Sequence, residues 1–462
     1  MNLSPAEIAA ALRAEVVLEG RDEAPRRATI DSNAAGPGDL FFGLRGEKRD
    51  GGEFASAAIE AGAWGVVVDP AFKTLLSPHS GKKGVLGEKD DGGGWVFAVE
   101  DPLAAMHSLA RAWRRALGAR VVGVTGSVGK TSVKDIARAL MPGRVHANPQ
   151  NFNTEIGLPL TLLEAPEDSD VLVLEMAMRG KGQIAELAGI AEPEVAVITN
   201  VGPVHVELLG SIEAIAAAKA EILDDLPSDG TAVAPVDAGV LEPHLERAPK
   251  LLRFGPGGDV EASEAKVDEG VTETLVRTPV GEQRFHFPFT EAHNLTNALA
   301  AIAAGVALGA DLAGMADRAA SIGFSRFRGE RLELPGGIVL VNDCYNANPV
   351  SMRAALDHLA SLDAERSVAV LGEMGELGPD SPSYHRQVGE HARAVGVDFV
   401  VGVGLPARDY DPDELVADPG EAAELLAARL EPGDVVLVKG SRSAGLEVVA
   451  EQLPELVEVG DG

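Results

Sequence analysis

The sequence predicts an α/β protein of three domains, and three observations predict it. The chain has 462 residues, a length that suits about three domains, each with its own core. Short apolar runs alternate with helical stretches in two separate series, the pattern of parallel sheets covered on both faces. Between the two series, residues 251–290 alternate with period two, as in QRFHFPF (Gln283 to Phe289), and read as a β subregion. The expected units are residues 1–98, 99–325 and 326–462.

Taken in order, MNLSPAEIAAAL reads as a capped helix. Ser4 can cap it, Pro5 fits the first helical position and Glu7 completes a capping box. It lacks the basic n-region of a signal peptide. WGVVV (Trp64 to Val68) and WVFAV (Trp95 to Val99) read as strands, and the polar, glycine-rich stretch from His79 to Gly94 as a solvated loop. A helix over Asp101 to Leu117 follows. The first βα series is RVVGV (Arg120 to Val124), DVLVLEM (Asp170 to Met176) and EVAVITNV (Glu194 to Val201), each followed by a helix. The helical stretch 291–320 contains the longest apolar run, 13 residues from Ala298 to Ala310. A membrane span needs roughly 20, so this is a buried helix. The second series begins near 335 with GIVLVND, SVAVLGE, DFVVGVG and DVVLVKG.

Lys and Arg number 40 against 71 Asp and Glu, a formal net charge of −31. Such a surface repels nucleic-acid phosphates and anionic lipid, so neither is expected as a primary partner. An anionic substrate therefore needs a locally basic site. Cys344 is the single cysteine, which rules out an internal disulfide and suits a reducing cytoplasm. No base is implied beside it, so it is not expected as a nucleophile.

The stretch TGSVGKTS (Thr125 to Ser132) follows a buried-type strand. Gly126 and Gly129 can turn backbone N–H groups toward a phosphate, Lys130 adds a point charge, and Thr131 can bind Mg²⁺. The helix from Ser132 points its positive end at the anion. The competing reading is a glycine turn capping a helix, and Val124 stands where the common P-loop spacing wants its first glycine. Metal ligands are then expected at the ends of neighbouring strands. Glu175 ends DVLVLE there, and His205 lies in the loop TNVGPVH, although a lone histidine is more often structural. On a helix expected over Ser211 to Leu226, Lys219 falls in the apolar face, while Glu213, Glu221, Asp224 and Asp225 point elsewhere. It either snorkels or is held, uncharged and reactive, at a polyanion or metal site. VNDCYNANP supplies Asp343, Asn346 and Asn348, with Asn348-Pro349 a good helix start; a turn built by Asn and Asp is the alternative. Lys439 and Arg442 flank Gly440 in VKGSRS and can hold an anion or simply line a solvated turn.

These stretches, with NFNTEIGLP, LEMAMRGKGQIAEL, AAAKAEIL, HNLTNALAA, RGERLEL and LGEMGELG, occur in the order expected of the Mur ligase family. The resemblance covers essentially the whole chain, and that family's P-loop has the short spacing seen here. YNANP with LGEMGELG and KGSRS resembles its MurF branch. IDSNAAGPGDLFFGLRGEKRDGGEF (Ile30 to Phe54) resembles the uridine-nucleotide-binding segment shared by the family's MurE and MurF branches. It departs at Asn33, where arginine is common, and at Gly52, where histidine is common; Cys344 stands where serine is usual.

The resemblance implies a UDP-binding α/β domain, a central parallel-sheet P-loop ATPase domain and a Rossmann-like third domain that closes over both. It implies a cytoplasmic, monomeric, ATP-dependent ligase that joins D-alanyl-D-alanine to UDP-N-acetylmuramoyl-tripeptide through an acyl phosphate, in peptidoglycan precursor synthesis. The alternatives are a sibling ligase adding one amino acid, a folylpolyglutamate synthase-like ligase, or a nucleotide-switch module; YNANP argues against the first two. Thr125, Gly126, Ser127, Val128, Gly129, Lys130, Thr131 and Ser132 are implied at the ATP phosphates, and Asn294, Arg331, Asp343 and Asn346 at the rest of the nucleotide. Thr131 and Glu175 are implied at one Mg²⁺, and His205 and Lys219 at a second, with Lys219 as its carbamate. Lys130, Glu175, His205 and Lys219 are the implied catalytic set. Asp31, Ser32, Arg45, Asn151, Thr154, Asn348, Lys439, Ser441 and Arg442 are implied at the other substrates.

Overall fold

The computed structural model describes residues 1–76, 93–149, 151–203 and 206–460. The loop expected over 79–94 therefore falls, up to residue 92, outside the described residues. At the N-terminus the capping box forms: Ser4 accepts from the Glu7 N–H, and the helix runs Pro5–Leu12.

The first sheet has five strands, in the order Glu15–Leu18, Trp95–Ala98, Gly65–Val68, Asp39–Phe42, Arg27–Thr29. Trp95 and Phe97 stack at 5.7 Å between ring centroids and anchor its core.

The central sheet has six strands, all parallel, in the order Lys250–Phe254, Thr231–Pro235, Val195–Ile198, Arg120–Thr125, Val171–Glu175, Val145–Ala147. Val122, Val124, Val173 and Val197 are fully buried, each worth about 1.5–3 kcal/mol of apolar burial. Register places the site. Val124 pairs with Glu175 and Thr125 with Ile198, so three strands end level. The glycine-rich turn, Glu175 and the loop from Thr199 then share one edge.

Two expectations change here. Residues 250–254 join the central sheet, and only Glu261–Asp268, Val271–Thr278 and Gly281–Phe287 form the antiparallel β unit. The helical stretch 291–320 divides at Gly309, whose φ of +76° stops the first helix. Ala292–Ala307 and Leu312–Arg318 result, and the apolar run is buried from Ala298 to Gly305, while Val306 to Leu308 are half-buried and Gly309 is exposed. Among the described residues no helix is long and apolar enough to cross a membrane.

The helix expected over 211–226 is shorter, Ile212–Lys219, and tightens into a 3₁₀ turn over Ala220–Leu223. That change of winding rotates Glu221 inward, against the outward placement its spacing suggested. It is buried and accepts from the Gly182 N–H at 2.8 Å and the Ala185 N–H at 3.3 Å, capping the helix Gln183–Ala191.

The third sheet runs Glu330–Leu334, Ile338–Asn342, Asp434–Lys439, Arg366–Leu371, Phe399–Val403, Glu414–Val416, parallel except for the first edge strand. Asp434–Lys439 lies between strands that precede it in the chain. This crossover brings the turn after Lys439 beside the loop after Asn342.

Candidate active site

The glycine-rich turn has the conformation its residues allow. Gly126 has φ +149°, and a Cβ there would lie 1.9 Å from Thr199 Oγ1. Gly129 has φ +83°, and a Cβ would meet Asn297 Oδ1 at 2.4 Å. Gly129 caps the helix Lys130–Leu140 without any side-chain cap, so the first N–H groups of that helix face outward for an anion. Thr125 Oγ1 donates to Met176 O at 3.0 Å, Ser127 Oγ to Gly202 O at 3.1 Å, and the Val128 N–H to Asn200 Oδ1 at 3.0 Å. These three residues brace the loop. Ser132 is half-buried on the helix's first turn.

Two lysines meet at one carbonyl. Lys130 Nζ donates to Gly126 O at 2.8 Å, and so does Lys219 Nζ, also at 2.8 Å. Burial, and then the charge of Lys130, holds the Lys219 ammonium well below its ordinary value. Burial also lowers Lys130; Glu175 opposes the shift and Arg328 adds to it.

Glu175 is 2% exposed. Its Oε2 accepts from Thr131 Oγ1 at 2.8 Å and its Oε1 from Asn153 Nδ2 at 2.7 Å. Asn148 grips its backbone: Oδ1 accepts from the Glu175 N–H at 2.6 Å, and Nδ2 donates to Glu175 O at 3.3 Å. Lys134 Nζ donates to Asn148 O at 3.0 Å and pairs with Asp135 at 3.2 Å. Asn148, Asn153, Thr199 and Asn200 had no sequence signal beyond being polar loop residues. A buried carboxylate beside a hydroxyl suits Mg²⁺, which takes hard oxygen ligands and few of them from protein. Among the described residues no group of three or more His, Cys, Asp or Glu gathers as a metal site, at Glu175 or elsewhere. His205 lies outside the described residues.

On the nucleotide side, buried Asn294 bonds Glu291 and Asn297, each at 3.3 Å. Asp343 accepts from Lys439 Nζ at 2.6 Å, and that ammonium also donates to Asn346 O at 3.1 Å. Lys439 therefore ties two turns together. Ser441 accepts from the Gly375 N–H at 2.8 Å. Asn348 caps the helix Pro349–Ser361 by accepting from the Val350 and Ser351 N–H groups. Arg331 and Asn346 are exposed, and exposed Arg442 pairs with Glu447 at 3.1 Å.

In the first domain Asp31 is exposed and accepts from the Asn33 N–H at 2.9 Å; Ser32 is half-buried and Arg45 exposed. At Gly52 a Cβ would meet the Phe72 ring at 2.4 Å, so a histidine there requires Phe72 to move. Asn151 and Thr154 are exposed on either side of Asn153. The first-domain candidates lie on a different sheet from the lysine pair.

Cys344 is fully buried, and desolvation pushes its thiol up to about 12. Below that pH the neutral thiol prevails. N-ethylmaleimide at pH 8 is expected to leave the folded protein unmodified by mass spectrometry and to label it once in denaturant.

Residues 27–91, 124–305 and 327–442 match, respectively, the Mur ligase family catalytic domain, the Mur ligase middle domain and the Mur ligase glutamate ligase domain. The UDP-N-acetylmuramoyl-tripeptide–D-alanyl-D-alanine ligase of Synechocystis sp. is 38% identical over 442 residues, covering 92% of this chain and 90% of that one. The chain belongs to the Mur ligase family. Among solved Mur ligases, MurF from Acinetobacter baumannii superposes with a TM-score of 0.85 at 26% identity, over 98% of this chain and 99% of that one. MurF ligase from Thermotoga maritima, solved in complex with ADP, gives 0.82 at 30% identity, over 94% and 98%. This Mur ligase thus shares fold and domain order with enzymes of the MurF branch along nearly its full length.

Proposed function

We propose that the protein is the ATP-dependent ligase that joins D-alanyl-D-alanine to UDP-N-acetylmuramoyl-tripeptide. The observation that carries the chemistry is the convergence of Lys130 and Lys219 on the Gly126 carbonyl beside the buried Thr131–Glu175 pair. Two cations on one neutral acceptor are costly unless a polyanion joins them or one is neutralised. ATP supplies such a polyanion. The acceptor identity is supported by full-length similarity to ligases named for it.

A carboxylate is a poor acyl donor. Its oxygen therefore attacks the γ-phosphorus, the bond to the β,γ-bridging oxygen breaks, and ADP leaves. The amine of the dipeptide adds to the acyl phosphate, and the tetrahedral intermediate collapses to amide and phosphate. Lys130 and the N–H groups at the start of its helix hold the phosphates in place. Thr131 and Glu175 would hold Mg²⁺, which would supply charge neutralisation of the triphosphate. His205 and Lys219 would hold a second ion, Lys219 as a carbamate. The ammonium first loses a proton; the neutral amine and CO₂ then give –NH–COO⁻ and a second proton, so a buried cation would become an oxygen donor. Residues 1–98 take the UDP end, 99–325 the ATP, and 326–462 close over both to exclude water.

With UDP-tripeptide, ATP and hydroxylamine, the enzyme is expected to form a hydroxamate without any amino substrate. Phosphate release should then rise with D-alanyl-D-alanine and stay at background with a panel of single amino acids. Turnover with a single amino acid but not the dipeptide would overturn the acceptor assignment.

A further inference from the structure

The linker from the central to the third domain runs through Ser325, Arg326, Phe327 and Arg328, and it is held at two points. Asp135 Oδ2 accepts from both the N–H and Oγ of Ser325 at 2.8 Å. Phe327 O accepts from the Tyr345 N–H at 3.1 Å. Beyond these ties the Arg328 guanidinium lies over the Tyr345 ring, 4.1 Å from its centroid. Its Nε is buried and has no hydrogen-bond partner among the described residues. A desolvated guanidinium N–H without an acceptor is expensive, and it marks a place where an acceptor is expected.

The surroundings indicate which acceptor. The third-domain segment carrying Tyr345 also packs on the phosphate loop. Gly202 fits between them, and a Cβ there would lie 3.3 Å from Val350 Cγ2 and 3.8 Å from Ser127 Cβ. The positive charge of Arg328 reaches Lys130, where, after burial, it further disfavours the ammonium. Glu175 acts in turn on Tyr345, whose phenol is raised chiefly by burial. Arg328 and the ring beneath it therefore lie within electrostatic reach of the corner formed by Lys130 and Glu175. Lys130 thus lies in the field of Arg328 and of the Glu175 carboxylate, and it shares the Gly126 carbonyl with Lys219.

We infer that Arg328 binds the γ-phosphoryl group of ATP during its transfer, as an arginine delivered from the interdomain linker. The inference rests on the reading of Lys130 and Glu175 as the phosphate and metal groups. As the carboxylate–phosphorus bond forms and the bond to the β,γ-bridging oxygen breaks, negative charge spreads over the γ-oxygens. The guanidinium fork donates to two of them and keeps its own protons throughout. Stacking on Tyr345 fixes the plane of the fork in advance, so less freedom is lost when the phosphate arrives. Because the linker carries this residue, closure of the third domain and completion of the site are one event.

The test separates γ-phosphate recognition from a packing role. Binding of MgADP and of the β,γ-imido analogue of ATP is measured alongside kcat. In Arg328→Met, MgADP is expected to bind within about twofold of wild type and the analogue roughly tenfold more weakly, with kcat at least about 10²-fold lower. Arg328→Lys keeps the charge without the fork and should fall between Arg328→Met and wild type. A kcat within about threefold of wild type overturns the inference. Equal weakening of both nucleotides also overturns it, because a merely structural linker residue gives that result. If Arg328→Met does not fold, Arg328→Gln, which keeps a planar group over Tyr345, carries the same expectations. Lys130→Met tests the underlying reading on its own: unchanged binding of both nucleotides there removes the phosphate site, and Arg328 with it.

Discussion

Lys219→Ala is expected to lower kcat by roughly 10²–10³-fold, with part of the loss restored by excess bicarbonate or a short carboxylate such as acetate. The side chain is 2% exposed, and its ammonium donates to a single carbonyl that Lys130 also uses. Desolvation and the neighbouring cation hold its protonated form well below the ordinary lysine range. The sign matters. A depressed value makes the neutral amine available at lower pH than for a free lysine, and only that form adds CO₂. Acidification re-protonates the amine and releases CO₂, so activity should fall toward acid pH and added bicarbonate should oppose the fall. Alanine removes the amine and leaves space in which a diffusible carboxylate can place an oxygen. An active alanine variant that ignores added carboxylate would return Lys219 to a packing role.

Glu175→Gln is the second large effect. Glutamine keeps the shape of the side chain but presents one acceptor and one donor where two donors, Thr131 Oγ1 and Asn153 Nδ2, now converge. The glutamine amide re-forms the pair only if the Thr131 hydroxyl turns its proton away and accepts, so the stability loss is small, about 1 kcal/mol or less. Loss of the charge should raise the Mg²⁺ concentration needed for half-maximal phosphate release at least about tenfold. Magnesium titrations at saturating ATP check the second claim and thermal melts the first. A variant with wild-type magnesium dependence would exclude Glu175 as a metal ligand.

Much of this corner was legible because its residues obey local rules. A buried strand followed by a glycine turn and Lys-Thr-Ser has few other uses, and an acid closing the apolar run VLVLE stands out. Lys219 was visible as a cation in an apolar stripe. What was hidden depends on tertiary contact. Asn148 lies 27 residues before the backbone it grips, and an asparagine before proline reads as a turn former. Glu221 obeyed helical spacing in the sequence, and the tightening after Lys219 turned it inward. Arg27–Thr29, at three residues, is too short for a period-two signal. The third-domain turn residues looked available for ligands, yet Asn348, Lys439 and Ser441 are spent on holding turns and a helix end in place. Arg328 read as one more basic residue in a loop, since nothing local says what a guanidinium lies across.

The bond from Asp135 to Ser325 has a mechanical consequence. The helix that opens at Lys130 reaches the linker five residues later and pins it there. Arg328 then lies three residues beyond the pin, an arm of at most about 10 Å. The pin is a fulcrum: the third domain swings about a point on the nucleotide-binding helix itself. Loosening it, as in Asp135→Ala, lengthens the lever without touching either end, so the domain can still arrive but no longer arrives in register.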